Sequence, residues 1–234
     1  MLPWLNPNAL DFPHPDSALT DPDGLLAAGG DLSPERLIAA YKTGIFPWYS
    51  EDQPILWWSP DPRCALQPGS VHSSRSLKKF IRKTALTLTF DNAFERVISH
   101  CSRLESEEGT WITDEMYEAY LQLHDLGVAH SIEVSIDGEL VGGLYGLAIG
   151  RCFFGESMFS VRANASKVAF SALCRQLQRW NYSLVDCQVE NSHLLSMGAT
   201  SLPRQEFLSI LKDNVDQQAN HDRWIFDIDI LNAI

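Results

Sequence analysis

Hydrophobic and polar residues alternate in a regular order over the second, longer part of the chain. The periods predict strands at residues 85–90, 131–135, 139–145, 151–156 and 183–188, and helices at residues 91–100, 113–127 and 164–180. Asp91 is the expected cap of the first of these helices. The pair Asp137-Gly138 favours a tight hairpin between two of the strands. This order of elements predicts an α+β fold, with a mixed sheet and a long amphipathic helix packed on it.

The first part of the chain has a different pattern, because eleven of the twelve prolines lie at or before Pro68. Frequent turn dipeptides predict loops and one clear helix there. That helix begins at Ser33-Pro34, a good N-cap followed by proline at the first helical position, and ends at Gly44. We therefore predict a small, loop-rich N-terminal domain at residues 1–62 and a larger C-terminal domain at residues 63–234.

Composition restricts the class of protein further. With 234 residues, 45% of them hydrophobic, the chain is long enough to bury a substantial core. No run approaches the ~20 apolar residues of a membrane span, and the first residues lack the layout of a secretory signal. The five cysteines are scattered without a C-x-x-C pair, so neither a disulfide framework nor a metal site is predicted. We expect a cytoplasmic protein without a membrane partner.

Charge is distributed unevenly along the chain. Thirty acidic against 18 basic residues give a net charge of −12, which argues against a protein that coats nucleic acid. Yet residues 63–83 contain six basic residues and no acidic one. If residues 74–83 are helical, most of these cations share one face. Such a face is either a solvated helix surface or a phosphate-binding stripe, and the spacing leaves both open.

Three polar residues stand where their neighbours predict burial: Glu156, Asp186 and Gln188. Residues two apart on a strand face the same way, so Asp186 and Gln188 are expected to project together. A buried carboxylate needs a partner or a task. Each residue alone could merely bind backbone, whereas together they fit a site that holds a cation and orients a nucleophile. The flanking apolar residues, either core or walls of such a site, are Phe153, Met158, Phe159 and Val185.

Several longer strings resemble one known family. They are residues 24–33 (GLLAAGGDLS), 41–48 (YKTGIFPW), 56–63 (LWWSPDPR), 107–113 (EEGTWIT), 155–160 (GESMFS), 164–167 (NASK) and 186–188 (DCQ). In this order, over nearly the whole chain, they closely resemble the bacterial leucyl/phenylalanyl-tRNA–protein transferases. The resemblance implies an acetyltransferase-like (GNAT-type) fold for the C-terminal domain.

The resemblance also implies an activity. Members of this family move leucyl, phenylalanyl or, less readily, methionyl groups from aminoacyl-tRNA to the α-amine of proteins that begin with Arg or Lys. The modified proteins are thereby marked for degradation by the N-end rule. Because aminoacyl-tRNA is itself the donor, no cofactor is expected. We also expect the protein to be a monomer.

Roles for particular residues follow from the same resemblance. Asp186 and Gln188 are expected to form a relay that orients and deprotonates the amine, with Glu156 recognising the acceptor's basic first residue. Aromatic faces for the aminoacyl-adenosine end are implied at Trp48 and Trp111. The implied pocket for the donor side chain comprises Leu144, Phe153, Met158, Phe170, Leu173 and Val185. The implied patch for the tRNA acceptor stem comprises Arg75, Lys78, Lys79, Arg82 and Lys83.

Two other functions share parts of this pattern. An acyl-CoA-dependent N-acetyltransferase would have the same fold, but it needs a glycine-rich turn for the pyrophosphate, and residues 160–166 (SVRANAS) contain no glycine. A tRNA-binding module without chemistry would not require buried carboxylates. Both alternatives are therefore less favoured than the transferase.

Overall fold

A computed structural model describes residues 2–104 and 112–234. The strands are β1 (Trp4–Leu5), β2 (Leu25–Gly29), β3 (Phe46–Pro47), β4 (Leu56–Trp58), β5 (Arg63–Leu66), β6 (Leu86–Phe90), β7 (Ala129–Ile136), β8 (Glu139–Ile149), β9 (Cys152–Ser160), β10 (Leu184–Gln188) and β11 (Thr200–Leu202). The α-helices are α1 (Pro34–Lys42), α2 (Arg75–Lys83), α3 (Phe94–Leu104), α4 (Asp114–Asp125), α5 (Ala165–Arg179), α6 (Ser192–Ser196) and α7 (Arg204–Asn214). The α+β class predicted from the sequence is confirmed.

The larger sheet has seven strands in the order β11-β5-β10-β9-β8-β7-β6. Strands β7 and β8 form the predicted hairpin, in which Asp137 and Gly138 have φ angles of 52° and 83°. Strand β9 continues antiparallel to β8, whereas β9 and β10 are parallel and are joined through α5. Strand β5, from far earlier in the chain, pairs antiparallel with β10. The sheet is therefore mixed, as predicted.

The smaller sheet contains β1, β2, β4 and β3, in that order. Helix α1 follows β2 and ends where Gly44 takes a φ of 77°. A side chain at Gly44 would meet the Leu208 side chain at 2.6 Å, so α7 packs closely against this turn.

Apolar side chains cover both faces of the larger sheet. Adjacent residues of β9 face opposite sides of this sheet: Phe153 packs with α5, whereas Phe154 packs with α1 and α4. The core on the Phe154 side also includes Trp57 of the smaller sheet. One core thus joins the two sheets, and the division into residues 1–62 and 63–234 stays a prediction.

One predicted helix start is wrong. Helix α3 begins at Phe94 instead of at Asp91, whose φ is 58°. The Asp91 carboxylate accepts a hydrogen bond from the backbone N–H of Ser131 (2.8 Å) and lies 2.7 Å from Nδ1 of His130. Asp91 therefore connects two strands instead of capping the helix. Within the described residues, no helix is long and apolar enough to cross a membrane.

Candidate active site

A cleft opens where the two parallel strands separate. Strands β9 and β10 pair from Cys152, opposite Leu184, to Phe154, opposite Asp186. Strand β9 then continues to Ser160. The cleft has a volume of about 530 Å³. Its lining includes Phe46, Pro47, Trp48, Leu144, Tyr145, Phe153, Gly155, Glu156, Ser157, Met158, Phe170, Leu173, Val185, Cys187, Gln188, Val189, Asn191 and Leu194. Ligand sites of α/β sheets favour such openings at strand ends.

Glu156 lies at a bulge in the wall of this cleft. In the β8–β9 register Tyr145 pairs with Ser157 and Gly146 pairs with Gly155, so Glu156 is the extra residue. Its Oε1 accepts hydrogen bonds from Tyr41 (2.8 Å) and from the Gln188 amide (2.9 Å). These donors come from helix α1 and strand β10, which the sheet brings together.

A second tyrosine completes the environment of Glu156. The hydroxyl of Tyr120 donates to Oε2 at 2.6 Å and lies 2.6 Å from the hydroxyl of Tyr41. Burial raises the pKa of the Glu156 carboxyl to about 7, although these hydrogen bonds stabilise its ionised form. The carboxyl group can therefore change its charge near neutral pH.

Asp186 is fully buried and is held by an arginine. Arg63, itself 1% exposed, donates from Nε to Oδ1 (2.8 Å) and from Nη2 to Oδ2 (2.7 Å). The same guanidinium donates to the carbonyl of Gly44 (3.0 Å) and lies 4.7 Å from the ring centres of both Phe46 and Phe207. Arg63 therefore belongs to the core, whereas the other five basic residues of 63–83 are exposed.

Gln188 connects Asp186 with Glu156. Its backbone N–H donates to Oδ1 of Asp186 (2.9 Å), and its side-chain amide reaches Glu156. The residue has a φ of 61°, at a register shift between β10 and β5. The hydrogen bonds thus link the three polar residues, but the bulge between Asp186 and Gln188 breaks the alternation from which their common direction is predicted. The Gln188 and Glu156 side chains line the cleft, whereas Asp186 contacts Gln188 through its backbone and does not line the cleft.

The predicted donor-pocket residues all line the cleft, namely Leu144, Phe153, Met158, Phe170, Leu173 and Val185. Trp48 also lies there, 45% exposed, with its ring 5.6 Å from that of Trp58. Trp111 lies outside the described residues. Phe159 as a wall is wrong: it stacks on His100 (ring centres 4.6 Å apart) on the opposite face, because it follows Met158 directly in the strand.

Sequence reasoning missed several residues that surround Glu156 or line the cleft. Tyr41 begins the string at 41–48 and Tyr120 lies on helix α4, but nothing in the sequence links either residue to Glu156. Cys187 within β10, and Asn191 and Leu194 beyond it, also line the cleft. The signal for Cys187 is its position between Asp186 and Gln188 in the DCQ string.

Helix α2 forms a separate basic surface. The Ser74 hydroxyl accepts from the backbone N–H of Leu77 (3.2 Å), which is buried. The predicted tRNA-binding residues Arg75, Lys78, Lys79, Arg82 and Lys83 are all exposed. Among the residues that the structure describes, none of these five side chains takes part in a salt bridge. The surface therefore offers uncompensated positive charge.

Comparison with known proteins identifies the family. The sequence model described as Leucyl/phenylalanyl-tRNA protein transferase matches residues 65–212, and the one for the N-terminal domain of that transferase matches residues 30–61. The chain is 60% identical over 229 residues to the leucyl/phenylalanyl-tRNA–protein transferase of Hahella chejuensis, covering 97% of each chain. Identity is 54% over 226 residues to that of Pseudomonas fluorescens strain SBW25, covering 96% of this chain and 100% of the other.

These matches define an aminoacyltransferase. The chain belongs to the leucyl/phenylalanyl-tRNA–protein transferase family, and the resemblance stated from its motifs is confirmed.

Similarity to solved structures is weaker. A ribosomal-protein-alanine N-acetyltransferase from Brucella melitensis biovar Abortus 2308 has a TM-score of 0.35 and 13% identity, covering 62% of this chain and 98% of that one. A GCN5-related N-acetyltransferase from Kribbella flavida has a TM-score of 0.31 and 11% identity, covering 72% and 60%. Likenesses of this size carry no argument about function.

Proposed function

We propose that this chain transfers a leucyl, phenylalanyl or methionyl group from aminoacyl-tRNA to the α-amine of proteins that begin with Arg or Lys, marking them for degradation by the N-end rule. One observation carries the proposal: an apolar cleft that contains a hydrogen-bonded carboxyl group, Glu156. The donor is the aminoacyl-tRNA itself, so the reaction needs no cofactor. We further propose that the enzyme acts in the cytoplasm as a monomer. Within residues 2–104 and 112–234, no group of three His, Cys, Asp or Glu side chains is placed to hold a metal ion.

The reaction is aminolysis of an ester. The acceptor nitrogen forms a bond to the aminoacyl carbon, the bond from that carbon to the ribose oxygen breaks, and the ribose oxygen leaves with a proton. Because the ester is already activated, holding the neutral amine in line with the carbonyl can supply much of the acceleration. Gln188 faces the cleft and orients the reacting groups, whereas Asp186 positions Gln188 through its backbone N–H.

The donor side chain binds among the apolar wall residues. Phe153, Phe170 and Leu173 present hydrocarbon surface without a polar group that could select by hydrogen bonding. Such a pocket discriminates by shape more than by chemistry, which fits the use of several unbranched-at-Cβ hydrophobic donors.

The 3′ end of the tRNA reaches the cleft at Trp48, and the acceptor stem binds outside the cleft. The exposed ring of Trp48 can stack on the terminal adenine, an interaction of ~1–3 kcal/mol per base. The basic face of α2 binds phosphates of the acceptor stem. Trp111 is proposed as a second aromatic contact on the resemblance alone.

Glu156 is proposed to bind the basic side chain of the acceptor. Its pKa of about 7 means that the ionised form, which attracts the cation, becomes dominant as the pH rises through neutrality. The KM for an acceptor beginning with Arg should therefore fall over that range, and Glu156→Gln should remove this part of the pH dependence.

The test mixes purified protein with radiolabelled Leu-tRNA and two peptides that differ only in beginning with Arg or with Gly. Label on the Arg peptide alone supports the proposal, and no transfer to it refutes the activity.

Glu133→Gln is the matched control for Glu156→Gln. Glu133 is also a buried carboxyl whose pKa is raised by burial, but it lies outside the cleft. Labelled acetyl-CoA in place of Leu-tRNA tests the acetyltransferase alternative, and acetyl transfer to the peptide would favour it.

A further inference from the structure

Two thiols face each other across strands β5 and β10. Leu66 pairs with Val185, Ala65 with Asp186 and Cys64 with Gln188. Cys187 is the extra residue at this bulge, so both Cys187 and Gln188 lie opposite Cys64. Both cysteines are free, and both side chains pack in the same apolar cluster. Opposed positions on paired strands lie within the Cα separation of about 4.4–6.8 Å that a disulfide needs.

The two thiols differ in exposure. Cys64 is 1% exposed, whereas Cys187 is partly exposed and lines the cleft. The neighbouring Cys187 thiol lowers the pKa of Cys64, whereas Cys64 and burial raise the pKa of Cys187, so Cys64 loses its proton first. The Cys64 thiolate is therefore the base that can take the proton of Cys187, the thiol that faces the cleft.

The other three cysteines do not line the cleft. Burial raises the pKa of Cys152 to about 12, and it also raises that of Cys174. Cys101 is buried against the other face of the sheet.

We propose that Cys64 and Cys187 are a redox-sensitive pair, which a peroxide entering the cleft converts reversibly to a disulfide. The Cys187 sulfur attacks one peroxide oxygen as its proton passes to the Cys64 thiolate, and the O–O bond breaks to give a sulfenic acid and hydroxide. The hydroxide takes up the proton that Cys64 had released to solvent and becomes water. The Cys64 thiol then attacks the sulfenic sulfur and releases a second water. Two thiols are oxidised by two electrons, and one hydrogen peroxide is reduced to two waters.

Disulfide formation changes the site through the neighbouring residue. Gln188 follows Cys187 directly, holds a φ of 61° and donates its amide to Glu156. Drawing Cys187 toward β5 removes its thiol from the cleft wall and shifts the backbone that carries this amide. Oxidation should therefore lower transfer activity, and a dithiol reductant should restore it.

The first test measures the bond itself and does not depend on the proposed function. The protein is treated with hydrogen peroxide, alkylated with N-ethylmaleimide, digested without reduction and examined by mass spectrometry. A peptide joining Cys64 to Cys187, lost on reduction, is the expected result. Alkylation of both residues after peroxide treatment, or irreversible oxidation of Cys187 without a linked peptide, would overturn the proposal.

The second test measures Leu transfer before oxidation, after oxidation and after reduction with dithiothreitol. Activity should fall in proportion to the linked peptide and return with reductant. Cys64→Ala, compared with its own untreated activity, should lose the reversible component, while Cys174→Ala should keep it. Equal reversible inactivation of Cys64→Ala and the unmodified protein would contradict the pairing. Absence of transfer before oxidation would instead count against the proposed function and leave the first test intact.

Discussion

Replacing Arg63 by methionine tests how Asp186 is held. The guanidinium makes two hydrogen bonds of 2.8 and 2.7 Å to the Asp186 carboxylate and a third to Gly44, between the rings of Phe46 and Phe207. Methionine can fill the space between the rings but leaves a buried carboxylate without a counter-charge. Removing one partner of a buried ion pair costs about 3–5 kcal/mol. For a chain of this length the corresponding fall in Tm is about 6–20 °C.

The free energy of unfolding is measured by urea titration, followed by tryptophan fluorescence. Arg179→Met is the matched control, because Arg179 also binds carboxylates at short distance (2.6 Å to Asp227 and 2.6 Å to Asp229), but at the surface. Solvent screens those pairs, so its loss of stability should be clearly smaller. Equal losses for Arg63→Met and Arg179→Met would refute the reasoning.

A double variant separates stability from function. Arg63→Met combined with Asp186→Leu replaces the buried pair by apolar side chains, so much of the lost stability should return. Its kcat should nevertheless stay low, because no carboxylate then holds the backbone N–H of Gln188. Full recovery of kcat together with stability would show that Asp186 has no role in positioning.

Three further predictions concern the cleft and the basic helix. Between pH 4.5 and 7 Glu156 is protonated when folded and ionised when unfolded, so its contribution to stability is present below pH 4.5 and declines as the pH rises through 7. In Glu156→Gln, urea titrations at several pH values should lack this decline. Leu173→Phe fills part of the cleft and should lower kcat/KM for Phe-tRNA relative to Leu-tRNA by about tenfold. Lys79→Glu should weaken use of tRNA and reduce the salt slope by about 1, whereas Lys212→Glu, on the exposed side of α7, should not.

Each of these has a contrary outcome. An unchanged pH dependence in Glu156→Gln would show that this carboxyl is ionised in the folded protein over the whole range. Equal loss with both donors in Leu173→Phe would place the donor side chain elsewhere. Equal salt slopes for the two lysine variants would leave helix α2 as a solvated surface.

The hairpin and the long helix could be predicted because their signals lie within short stretches of sequence. The hairpin at Asp137-Gly138 and the helix at 164–180 depend on turn chemistry and on periods within a few turns of chain. Asp91 was misassigned for the same reason: an acidic residue before a helical pattern resembles a cap, and its true partners lie about 40 residues away.

The sequence by itself determined the class of fold, the family and the apolar residues of the cleft wall, since these follow from local pattern and long motifs. Only the tertiary structure decided the partners of the polar residues. Arg63 meets Asp186 across 123 positions because β5 pairs with β10, and the same pairing brings Cys64 to Cys187. Tyr41 and Tyr120 meet at Glu156 because two helices pack on one face of the sheet. Strand order and helix docking result from burial over the whole chain, and no local period encodes them.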